Sequence, residues 1–131
     1  MTRTRRCTAA TIDGRRRKAE QFMEQAQRML ADAADPEMVG DAYVTLCAHA
    51  GIAAADVLCC RALGEHAQGE SHQEAVALVG RVGHEGAQHA KALDTLLSMK
   101  TRAGYSPESV SADQRMRAGR AARQLVDALR I

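Results

Sequence analysis

The chain has 131 residues and a mass of 14.1 kDa, which is room for one domain around one core and too little for a cofactor domain joined to a substrate domain. Hydrophobic residues make up 46%, but 26 residues are alanine and the aromatics amount to two Tyr, one Phe and no Trp; this composition excludes a β-sandwich or barrel and predicts closely packed helices. The net charge of +2 conceals a split: residues 1–18 carry seven cations against one anion, a balance of +6, and the rest carries eleven against fifteen, a balance of −4.

Residues 1–13 therefore read as a flexible basic arm, suited either to solvation or to phosphate contact with a nucleic acid. Residues 14–131 read as a single all-α domain, a four- to five-helix up-and-down bundle. Asp13 is placed to cap a first helix over about 14–34, whose apolar face is Ala19, Phe22, Met23, Ala26, Met29, Leu30 and Ala33. Asp35 followed by Pro36 has the form of an N-cap with proline in the first turn. It predicts a second helix from Pro36 to about Leu63, apolar nearly all round, ended by Gly64 and buried at the centre. Residues 42–63 approach the length of a membrane span, but His49 and Asp56 fall inside and alanine dominates, so a buried core helix is the better reading.

Ser71 to Glu74 has the capping-box form and opens a short third helix, 72–82. After Gly83 and Gly86 comes a fourth helix, marked by Ala90, Leu93, Leu96 and Leu97, with Gly104 available for a left-handed cap. Ser111 to Gln114 forms a second capping box, opening a last helix along Met116, Ala122, Leu125, Val126 and Leu129.

Cys7, Cys47, Cys59 and Cys60 lack the paired spacing of a zinc site and read as small buried hydrophobes in a reduced cytoplasm. The basic start is not followed by an apolar run with a cleavage site, so no signal peptide is expected. His49 reads as a core histidine. His84 and His89, five apart, do not share a helical face as metal ligands must, so neither a metal nor another cofactor is expected.

Two groups of residues suggest chemistry. Arg61 and His66, four residues between them at the end of the second helix, are of the types that hold a phosphodiester and move a ribose proton without a metal. Lys100, Arg102 and Tyr105 at the end of the fourth helix combine two cations for a phosphate with a ring on which a base can stack.

The combined pattern resembles the HEPN superfamily of prokaryotic helical nucleotide- or RNA-binding domains over residues 14–130. The segments that carry the resemblance are Asp41-Ala42-Tyr43, Ala48-His49-Ala50, Ser71 to Gly80, Lys100 to Tyr105 and the helix opened by Ser111. It implies a helical bundle, commonly a homodimer with its working residues in a cleft. Many HEPN proteins are metal-independent endoribonucleases of toxin–antitoxin or defence systems, encoded beside a nucleotidyltransferase partner that neutralises them. The family's catalytic Arg-x4-6-His falls near Lys100 and Tyr105 here, and Gly104 stands where the related branch has Asp. The resemblance therefore implies an RNA- or nucleotide-binding module contacting its ligand through Lys100, Arg102 and Tyr105. Any retained cleavage falls to His72, at the start of the third helix, or to a relocated Arg61–His66 pair. The alternative of another class is a non-catalytic helical dimerisation or interaction module.

Overall fold

Thr8, not Asp13, starts the first helix: its hydroxyl accepts from the Thr11 amide at 3.1 Å, and α1 runs Ala9–Asp32. Asp13 lies inside the helix, where its carboxylate takes the Arg16 guanidinium at 2.8 Å; Arg16 also reaches Glu20 at 2.8 Å. The arginine run is helical from its first residue, because pairs three and four apart on one face satisfy it. The structure is a computed structural model and describes residues 3–69 and 71–130.

The segment read as a flexible arm is tied down from Arg3 onward; Met1 and Thr2 lie outside the described residues. Thr4–Arg6 forms a short strand, β1, antiparallel to β2 (Glu65–Ala67), with Arg5 opposite His66. Beyond the strand, the Gln68 amide donates to the Arg3 carbonyl at 2.9 Å and the Cys7 amide to the Gly64 carbonyl at 3.0 Å. A Cys7–Cys60 disulfide, Cα atoms 5.7 Å apart, closes the arrangement. This corrects the reading of all four cysteines as reduced. Only Cys47 and Cys59 are free, and both are buried. Disulfides persist in oxidising surroundings, so the bond removes the support that reduced thiols lent to a cytoplasmic location.

The second predicted helix begins with a 3-10 turn over Pro36–Val39 and becomes α2 at Gly40–Leu63. Gly64 ends it at φ 76°, a conformation that costs a residue without Cβ nothing. Long and apolar enough by length and composition to cross a membrane, this helix has 72% of its most apolar stretch buried within the protein. It is the axis of the bundle: α1, α4 (Gly86–Gly104) and α5 (Ala112–Asp127) all pack on it. Small residues allow the close approach. Gly51 faces the methyl groups of Leu96 and Leu125, and Gly119 of α5 faces the hydroxyl of buried Tyr43, which burial pushes up to about 12. The all-α bundle around a buried, alanine-rich second helix is thus what the chain forms.

The third helix, α3 (His72–Val79), stops short of the predicted residue 82. Its last turn tightens, Arg81 and Val82 donating three residues back to Leu78 and Val79. Gly104 is the last residue of α4 but is not left-handed; the helix ends at Tyr105, φ −135°, with the Tyr105 and Ser106 amides both on the Thr101 carbonyl. Ser111 and Gln114 form the full capping box predicted for α5.

Burial of the histidines also differs from expectation. His49 is exposed, lying tilted against Phe22 with ring centres 5.7 Å apart. The buried histidine is His89, 5% exposed, whose Nδ1 has no partner among the described residues.

Candidate functional site

Helices α2 and α4 run antiparallel, with Thr45 near Gly104 and Gly51 against Leu96. Where Ala67, Gly69, Ser71, His72 and Ala75 border them, a cleft of about 490 Å³ opens, within the range of small-molecule sites. Its floor is apolar, from Ile52, Ala55 and Cys59 of α2 and Leu93 and Leu97 of α4. Lys100, Thr101 and Tyr105 come from the end of α4, and Ser71 and His72 from the start of α3. Ser71 faces this way because it is the N-cap of α3, its hydroxyl accepting from the Glu74 amide at 3.2 Å. Tyr105 is 82% exposed, since the chain leaves the bundle there.

Three of the sequence-selected residues, His72, Lys100 and Tyr105, therefore share one cleft although up to 33 positions separate them in the chain. Arg102 is not in its lining; on the next helical position it donates to the Ser109 carbonyl at 3.3 Å. Arg61 and His66 also lie outside it. The Arg61 guanidinium donates to the Leu129 carbonyl at 2.8 Å and so fastens the C-terminal turn Ala128–Arg130 to α2. His66, in β2, places Nδ1 2.9 Å from the Ala67 carbonyl. Nothing in the geometry pairs these two for catalysis.

His72 is better furnished. Its Nε2 lies 2.7 Å from Asp94 Oδ1. An ionised carboxylate only accepts, so Nε2 carries the proton and Nδ1 of the neutral ring keeps its lone pair. A carboxylate that holds one ring nitrogen in this way orients the other as a base. The pair is largely exposed, 38% and 59%, and contributes little to stability.

Asp56 was singled out by the sequence only as a charge inside an apolar helix, and the structure shows it in the cleft. Its side chain is 17% exposed, and Oδ2 accepts from Arg15 Nε at 3.1 Å and lies 2.9 Å from Nη2 of the same guanidinium. Burial raises its carboxyl above the usual range; the charges of Arg15 and His66 oppose that shift without cancelling it. Arg15 belongs to the N-terminal basic run, so one of those arginines is a structural partner of the cleft.

His49 sits on α2 level with Lys100. Partial desolvation against its neighbours first, then the charges of Lys100 and Arg15, hold its imidazole below the ordinary 6.5. At this residue the unfolded chain binds protons more readily than the folded one. Its contribution to stability is therefore complete above pH 6.5 and lost as the pH falls through the lowered folded value. Replacing Lys100 by methionine is expected to move the His49 titration upward in an NMR pH series, and an unchanged midpoint would show that the two side chains do not sense each other.

Among the described residues no three His, Cys, Asp or Glu side chains converge as a metal-holding group. Comparison with protein-family models, curated proteins and solved structures finds no match to the chain.

Proposed function

We propose that the cleft between α2, α3 and α4 binds RNA or a nucleotide, the chain acting as a HEPN-like module. The observation that carries this reading is the convergence of Lys100, Tyr105 and His72 on one apolar-floored cleft. Lys100, with the Thr101 hydroxyl beside it, supplies the charge and donors that a phosphate needs. Tyr105 offers an exposed ring for a base. Where the module cleaves RNA, Nδ1 of His72 takes the ribose 2′-hydroxyl proton as the 2′-oxygen bonds to phosphorus. The P–O5′ bond breaks with the 5′-oxygen protonated by water to leave a 2′,3′-cyclic phosphate, and Lys100 offsets charge on the phosphate, which makes it a metal-independent endoribonuclease. A homodimer, and a nucleotidyltransferase partner in a toxin–antitoxin or defence system, are what the HEPN resemblance adds.

Removing Lys100 deletes a charge-assisted contact, worth about 1.5–3 kcal/mol. Lys100→Ala is expected to weaken binding of a fluorescent single-stranded RNA about tenfold or more in a polarisation titration, and His72→Ala to abolish cleavage while leaving binding within about threefold. Equal affinity of Lys100→Ala and the parent protein refutes the reading. The interaction-module alternative draws on Met38 and Met116, 81% and 52% exposed outside the cleft. Single exposed apolar side chains are ordinary on monomers, so the cleft is the stronger guide.

A further inference from the structure

Phosphate contact at Lys100 and stacking of a neighbouring base on Tyr105 use only one end of the cleft. Asp56 lies seven residues further along α2 than His49, which is level with Lys100, and the 1.5 Å rise per residue puts the two charged ends on the order of 10 Å apart. Between them the floor is Ile52, Leu93 and Leu97. The cleft thus has a cation at one end, an apolar middle and a carboxylate at the other.

The state of that carboxylate is specific. Oδ2 carries both Arg15 contacts, whereas Oδ1 receives no hydrogen bond among the described residues and is not sealed from solvent. Arg15 fixes the group from one side and leaves an acceptor turned to other partners. A carboxylate accepts and does not donate. A ring lying on the apolar floor therefore gains at Asp56 only if its far edge presents N–H groups, and loses if it presents a lone pair.

We propose that Asp56 is the specificity-determining residue of the cleft and selects guanine nucleotides. Guanine is the base whose pairing edge sets two N–H donors, N1–H and the N2 amino group, side by side. Adenine and cytosine each place a ring nitrogen lone pair beside their amino group, and uracil flanks its single N–H with two carbonyls. The inference rests on the cleft holding a phosphorylated nucleoside with its phosphate at Lys100.

Calorimetric titration of the full chain with GMP, AMP, CMP and UMP tests it. GMP is expected to bind about tenfold or more tighter than the other three, because a site that hydrogen-bonds a ligand's N–H discriminates strongly against analogues lacking it. Asp56→Asn, whose amide presents a donor as well as an acceptor, is expected to bring the four affinities within about threefold. Four equal affinities in the parent protein overturn the role of Asp56 and leave phosphate binding standing. Absence of binding by all four overturns the nucleotide reading itself. The comparison among nucleotides on the parent protein needs no variant, so a folding defect in Asp56→Asn does not blunt the test.

Discussion

Cys7→Ser is expected to lower the melting temperature by roughly 15 °C. The Cys7–Cys60 bond spans 53 positions, and the loop-closure entropy it removes from the unfolded chain amounts to about 4 kcal/mol at 25 °C. Unfolding entropy of about 2.1 cal/mol/K per residue converts that figure to the stated shift. The loss should be local as well as global. Without the bond, β1 is held by a three-residue pairing and the flanking amides of Cys7 and Gln68, and so short a two-stranded sheet is marginal by itself. Hydrogen exchange at residues 65–68 is therefore expected to quicken before exchange in α2 does. Treating the parent protein with a phosphine reductant should reproduce both effects and should leave the Cys7→Ser protein unmoved, since Cys47 and Cys59 form no disulfide. A melting temperature unchanged by reduction would mean that the disulfide does not form.

Gly86→Ala is expected to cost about 2 kcal/mol, against the usual gain from replacing glycine in a helix. The new Cβ would stand 2.3 Å from the Gly80 carbonyl oxygen and 2.9 Å from its carbon. Both are backbone atoms at the tightened end of α3, so relief requires the α3–α4 junction to open, and overpacking of this kind costs about 1–3 kcal/mol. The offsetting gain in helix propensity is at most about 1 kcal/mol and smaller in a first turn. Gly51→Ala makes the instructive comparison. Its Cβ would meet Leu96 Cδ1 at 2.2 Å, but a leucine methyl can rotate away, so a smaller loss is expected although the contact is as short. Urea titrations of the two variants check the order, and a Gly86→Ala protein as stable as the parent would place the junction elsewhere.

The helices were legible because their signals are local. Alanine content, apolar periodicity and the Ser71 and Ser111 caps act within a few residues, and each marks an element that forms. The errors fall where a distant partner decides the outcome. Nothing near Cys7 announces Cys60, so a segment that pairs with β2 reads as a loose arm. His49 departs from its core reading because an apolar stretch suggests burial all round, while this residue lies on the exposed side of α2. In the site, His72, Lys100 and Tyr105 could be named as candidates, but their meeting depends on α3 folding back over α4, which no spacing encodes. Asp56 was visible as an oddity without a purpose until Arg15 and the cleft gave it surroundings. Arg61 and His66 had the right spacing and the wrong neighbours: the Leu129 carbonyl occupies the first, and β2 holds the second.

The division of labour between the two tyrosines makes the molecule its own optical instrument. Tyr43 is 2% exposed against Gly119, whereas Tyr105 stands open at the cleft mouth, and the chain has no Trp to outshine them. Ultraviolet emission from the unlabelled protein therefore carries two separable signals. Quenching by an added solute such as iodide reports Tyr105 alone, and the remaining emission reports the integrity of the interior around Tyr43. Occupancy of the cleft and unfolding of the bundle can thus be followed in one cuvette, with Tyr105→Phe to assign the first signal.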